Sequence, residues 1–177
     1  MTETTVPGAP TLDREHSDLL ESLARHRFFL RHTARDLDDE QAARRTTVSE
    51  LSIGGLIKHV ASVEAMWADF ILKGPESMGS VTDADYSRHA QTFRMEGGET
   101  LAVLLDRYEE VARHTEEVVR ALPDLSVDHP LPPAPWFTPG ARWSARRVLL
   151  HIIAETAQHA GHADIIREAL DGARTMG

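Results

Sequence analysis

The chain has 177 residues, 41% of them hydrophobic and 27% charged, enough for one domain with a sizeable core. A net charge of −9 excludes the basic face that a nucleic-acid backbone requires, and the absence of cysteine excludes both a disulfide framework and a thiolate metal site. No apolar run approaches the roughly 20 residues of a membrane span, and residues 1–11 lack the basic region and apolar stretch of a secretory signal, so the expected location is cytoplasmic with no membrane partner.

Residues 1–11, with Pro7, Gly8 and Pro10, are expected to form a disordered leader ahead of a single domain over 12–177. Leu19, Leu20, Leu23, Leu30, Ala34 and Leu37 recur at three- and four-residue steps and predict a first helix over 12–37. Phe28 and Phe29 cannot both face one core, which points to a homodimer contact. The acidic DLDDEQ and polar RRTT that follow read as a connection.

Ser52 is the expected N-cap of a second helix, which Gly74 and Pro75 stop after Leu72. Its apolar stripe reads Leu56, Val63, Met66 and Phe70, with His59 inside it. Residues 73–98 form a long connection, with a short helix near 83–92. A third helix spans 99–122. The proline-rich loop His129–Trp143 leads to the N-cap Ser144 of a fourth helix, which ends near Gly172. No β pattern competes. The expectation is an all-α four-helix bundle, and the long connection between the second and third helices lets them run parallel, in up-down-down-up order.

The fourth helix carries the chemistry. His151, Glu155, His159 and His162 share one face, because each i,i+4 step drifts only about 40° around an α-helix and the i,i+3 step turns back by about 60°. Val148, Ile152, Ile166 and Leu170 lie on the same face, so it is the one expected to point inward. Inward imidazoles and a carboxylate are costly without compensation, and a metal ion supplies it. Glu155 and His159 can grip one ion from a single face. His59 joins them from the second helix, one turn after Gly54 and Gly55, where missing side chains leave space beside the imidazole. Two nitrogens and one oxygen leave an open position, as in a catalytic site. Zinc suits such ligands, and so do Ni, Fe, Mn and Co. The Glu-x-x-His of di-iron bundles and the H-E-x-x-H of zincins are both absent.

SIGGLIKHVASVEAMW and WSARRVLLHIIAETAQHAGHADIIREALDG resemble the DinB/YfiT-like superfamily of metal-binding four-helix bundles. Many of its members pair a His of the second helix with a His-x-x-x-His of the last. Glu155 stands where the first of that pair usually lies, which is similar to the mycothiol-dependent branch, where a His, a Glu and a His hold zinc. The resemblance implies His59, Glu155 and His159 as ligands. It also implies a divalent-metal-dependent transferase in which a low-molecular-weight thiol of the mycothiol type attacks an electrophile as the metal-bound thiolate. His162, three residues after the last ligand, stands where relatives often have Asp or Gln, which implies a proton acceptor or an orienting role. Arg167 lies off the stripe, where solvent or a substrate carboxylate would meet it. His151 reads as packing or as a hydrogen-bonding neighbour. Trp136 and Phe137 either roof the pocket or anchor their loop, and Arg142, Arg146 and Arg147 face solvent. The alternatives are a metal-assisted hydrolase and a non-catalytic metal-binding stress protein. Thiol dependence separates the transferase from the hydrolase, a metal sphere closed by ligands with no pocket beside it would mark the non-catalytic protein, and a plain helical interaction protein would carry no metal.

Overall fold

Helix α1 (Arg14–Thr33) starts where the Asp13 carboxylate accepts the backbone N–H of His16, and its Leu20, Leu23 and Leu30 turn one face inward. The computed structural model describes residues 12–78 and 91–175. The expected leader and all but the last two positions of the expected helix near 83–92 therefore lie outside the described residues. α1 ends short of the expected boundary at 37. Thr33 donates back to the Leu30 carbonyl at 2.7 Å, and Asp36 takes a left-handed φ of 59°, which no α-helix continues. Phe29 packs against the core while Phe28 is 58% exposed.

The stretch read as a connection contains a further helix, α2 (Asp39–Ala43). Its start is a capping box: the Asp38 carboxylate accepts the Gln41 N–H, and the Gln41 side chain accepts the Asp38 N–H.

Helix α3 (Ile53–Lys73) is capped by Ser52, whose hydroxyl accepts the Gly55 N–H. Gly74, at φ 68°, and Pro75 end it in a 3₁₀ turn, Gly74–Ser77. Phe70 is fully buried, but Met66 is 39% exposed and Trp67 takes the inward place expected for it. Eleven residues make three turns, so Trp67 falls within about 20° of Leu56, while Met66 lies about 80° away.

Helix α4 (Leu101–Ala121) begins at the N-cap Thr100. The chain then forms a small antiparallel ribbon of β1 (Asp128–Pro130) and β2 (Arg142–Ser144), in the register Asp128↔Ser144, His129↔Trp143 and Pro130↔Arg142. The sequence predicts no strand here. Three-residue strands are too short to display a period of two, and Pro130 can occupy only such an edge. The ribbon delivers Ser144 as N-cap of helix α5 (Ala145–Asp171), and Gly172, left-handed at φ 80°, closes it.

The described residues are mostly helical, and none of their helices is long and apolar enough to cross a membrane. α1 packs on α5, and α3 packs on both α4 and α5. One apolar cluster joins Leu30 and Ala34 to Ile53, Leu56 and Ile57, to Leu101 and Leu104, and to Ala163 and Ile166. The other joins Leu20 and Leu23 to Trp67 and Phe70, to Val118 and Val119, and to Val148 and Ile152. The fully buried Glu64 accepts from the buried Arg27, whose Nη1 also reaches Glu116 at 3.4 Å.

Candidate metal centre

The polar set of α5 sits at the margin of its buried face. Val148, Ile152, Thr156, Ala163 and Ile166 occupy the middle of that face, while the Glu155 side chain keeps 28% exposure and that of His159 10%. The inward stripe expected from the spacing is thus shifted toward Thr156 and Ala163. The result is an arrangement that solvent can enter.

From that margin, α5 and α3 bring three side chains together. The ligand atoms of His59, Glu155 and His159 all lie within 4.8 Å of one another, and Glu155 Oε2 stands 3.3 Å from His159 Nε2. Donors about 2.1 Å from a tetrahedral cation are about 3.4 Å apart, so the α5 pair already has the spacing of two ligands. The His59 and His159 rings meet edge to face, with centroids 4.9 Å apart. Two imidazoles and a carboxylate without thiolate suit zinc and its first-row neighbours.

Each imidazole has a second partner of the kind that orients metal ligands. His59 Nδ1 lies 2.9 Å from Thr92 Oγ1. With the proton on Nδ1 donated to that hydroxyl, the ring lone pair resides on Nε2. His159 Nδ1 lies 3.3 Å from His162 Nδ1, so one of the two donates to the other. Phe93 stacks on the His59 ring at 3.8 Å. Thr92 and Phe93 are the site residues that the sequence reading missed. The space expected beside Gly54 and Gly55 is real, but backbone fills it: a Cβ on Gly55 would come 1.9 Å from the Phe93 carbonyl oxygen.

The carboxyl of Glu155 is held below the usual carboxylate range, chiefly by its hydrogen bond from His159, with burial opposing. Burial pushes the His151 pKa down, against the pull of Glu155. His151 lies edge-on to both Trp67 and Trp143, which stack on each other at 4.8 Å, and its Nε2 is 4.0 Å from Glu155 Oε1. It is therefore a packed neighbour of the carboxylate.

The remaining expectations divide. Arg167 is buried, not solvated. Its Nη1 donates to the carbonyls of Thr33 and Arg35, at 2.7 Å each, and its Nε to Asp171, so it closes the end of α1 and presents no free fork to a carboxylate. Phe137 packs edge-on against Trp143, while Trp136 stands 56% exposed. Arg146 pairs with Glu15, Arg142 with Asp128, and Arg147 lies over the Trp143 ring at 4.2 Å, so all three serve the chain itself.

A family model described as mycothiol-S-transferase matches residues 18–172, a span that takes in α3, α5 and all three clustered side chains. No curated protein matches the chain.

Proposed function

Since the chain belongs to the mycothiol S-transferase family, a DinB/YfiT-like family, we propose that it is a divalent-metal-dependent thiol S-transferase. The meeting of His59, Glu155 and His159 carries this reading: three donors within 4.8 Å of one another, drawn from two helices, at an edge that solvent reaches.

In this reading His59, Glu155 and His159 would hold the cation, at an edge where the Glu155 side chain meets solvent. The cation, with zinc the preferred choice and Ni, Fe, Mn or Co as alternatives, supplies the positive charge that lowers the pKa of a thiol bound beside it. The thiol is of the mycothiol type and the second substrate is a small electrophile. A sulfur lone pair forms the new S–C bond, the electron pair of the bond that breaks departs with the displaced group, and the thiol proton is released to solvent or to that group. Glu155, ionised at neutral pH, keeps the donor set anionic. His162 acts through His159: its Nδ1 accepts the His159 Nδ1–H, which leaves His159 Nε2 facing the cation. We assign it a positioning role, and Arg167 none.

The up-down-down-up four-helix bundle, spanning residues 12–177 as one domain, belongs to the same reading. Its support is that the end of α1 and the start of α3 share one apolar cluster with the start of α4 and the later part of α5. A reaction that draws on a cellular pool of small thiol supports a cytoplasmic location.

The test is consumption of mycothiol with an alkylating electrophile, before and after chelation and after zinc or nickel is restored. Turnover should require thiol and metal together and should collapse in His59→Ala. Metal-dependent ester hydrolysis without any thiol would replace the transferase by a hydrolase. Full metal-dependent activity in His59→Ala would refute the ligand assignment.

A further inference from the structure

Residues 92–95 lie across the first turn of α3 and are fastened there at several points. Thr92 meets His59 Nδ1 at 2.9 Å, and Phe93 stacks on the same ring at 3.8 Å. The Arg94 carbonyl accepts Lys58 Nζ at 3.2 Å, while Arg94 Nη2 donates to Glu50 at 2.7 Å. Lys58 also pairs with Glu99 at 2.9 Å, beyond the segment. Two glycines make the seat. A Cβ on Gly55 would stand 1.9 Å from the Phe93 oxygen and 2.4 Å from its carbonyl carbon, and a Cβ on Gly54 would stand 2.3 Å from Met95 Sδ. Backbone cannot yield at 1.9 Å, so only glycine at 55 admits the segment.

Adjacent glycines inside a helix are unfavourable for the helix itself. Here both face the segment that bounds the imidazole of a candidate ligand. Thr92 gives His59 Nδ1 a fixed hydrogen-bond partner, and Phe93 fixes the plane of the ring. We infer that residues 92–95 are a clasp that positions His59, with Thr92 as the positioning residue, so that affinity for a divalent cation depends on this clasp as well as on the three donors. The inference rests on the metal reading above and deepens it. A ligand imidazole whose other nitrogen has a fixed partner is held in the binding tautomer and orientation, and loss of such partners weakens metal sites. The stack on Phe93 adds a further restraint on the orientation of this buried imidazole.

The experiment is competition for zinc against a chromophoric chelator, read together with the thermal midpoint of the metal-free protein, for the parent, Thr92→Val, Thr92→Ser and Gly55→Ala. Thr92→Val keeps the shape and removes the hydroxyl. It should weaken zinc binding by about 10- to 100-fold with the metal-free midpoint unchanged, and Thr92→Ser should recover most of the loss. Gly55→Ala should weaken binding as well, because the clasp must lift. Should the valine variant fail to fold, Phe93→Leu, which removes the stack, carries the same expectation of weaker binding. Parental affinity in Thr92→Val would overturn the clasp alone. So would a loss that follows a lowered metal-free midpoint and is not recovered by serine. A parent protein that takes up no zinc would overturn the metal reading and the clasp with it.

Discussion

Glu155 divides its two oxygens between two histidines, with Oε2 3.3 Å from His159 Nε2 and Oε1 4.0 Å from His151 Nε2. Its low pKa has the same origin, since the His159 hydrogen bond stabilises the carboxylate against partial burial. Replacing it by Gln keeps the shape and removes the charge. Glu155→Gln should weaken zinc binding beyond the roughly 10- to 100-fold typical of an outer partner, as measured by chelator competition; affinity equal to the parent's would take Glu155 out of the donor set. The three clustered residues were legible in the sequence because an i,i+4 pair on one helix and an inward His on another need only helical periodicity. Thr92 was not, because its contact with His59 joins positions 33 residues apart. Arg167 read as solvated for a related reason: its partners Thr33 and Arg35 lie at the far end of the sequence.

At the scale of elements, the caps were the most readable signals. Ser52, Ser144 and Gly172 each mark the boundary that the structure has. Ser144 ends β2 and also accepts the Arg147 N–H at 3.2 Å to begin α5. Ser144→Ala should therefore cost about 1 kcal/mol, seen as a lower thermal midpoint, and a midpoint equal to the parent's would show that the ribbon alone fixes this boundary. The end of α1 depends on a distant partner. Arg167→Met strips the donor from the carbonyls of Thr33 and Arg35, and buried carbonyls left without a donor cost about 1–3 kcal/mol. Denaturant melts of this variant should show that loss, whereas zinc affinity should stay near the parental value. α2 and the ribbon escaped the sequence reading because neither is long enough to show a period. The Asp38 and Gln41 capping box was the one local signal for α2.

Across the whole molecule, the long helices join two apolar clusters with a buried ion pair, Arg27–Glu64, whose carboxylate is completely covered. Removing Arg27 strands the covered Glu64 carboxylate in the interior, so Arg27→Ala should cost about 3–5 kcal/mol by denaturant unfolding. Arg27→Leu with Glu64→Met should lose far less. Equal losses in both variants would mean that the pair itself, and not the stranded charge, carries the stability.

The acid limit of the fold follows from carboxyls held below their ordinary values. Asp13 and Asp124 are held by backbone N–H groups, Glu15 by Arg146 and Asp171 by Arg167; at Glu99 burial pushes the other way, but the Glu96 N–H and Lys58 outweigh it. A depressed folded pKa gives stability that is fully present above the unfolded values of 3.8 and 4.5 and is lost as the pH falls through the lower folded ones. Thermal midpoints should be flat above about pH 7, begin to fall below about pH 6.5 because the buried His151 resists the proton that the unfolded chain takes up, and fall further below about pH 4 as the carboxyls protonate. A midpoint that rose on acidification would reverse the sign assigned to these groups.

Sequence periodicity was enough to place four long helices and the face on which the polar side chains meet. It gave no access to the segment that holds His59 from the far side, because that contact exists only once α3 and residues 92–95 are packed together. The most direct test of the metal centre is the X-ray absorption spectrum of the zinc-loaded protein at the zinc edge. The account predicts two imidazole nitrogens and a carboxylate oxygen at about 2.0–2.2 Å, with one imidazole lost in His59→Ala. A spectrum without imidazole scattering, or one unchanged by that substitution, would contradict it.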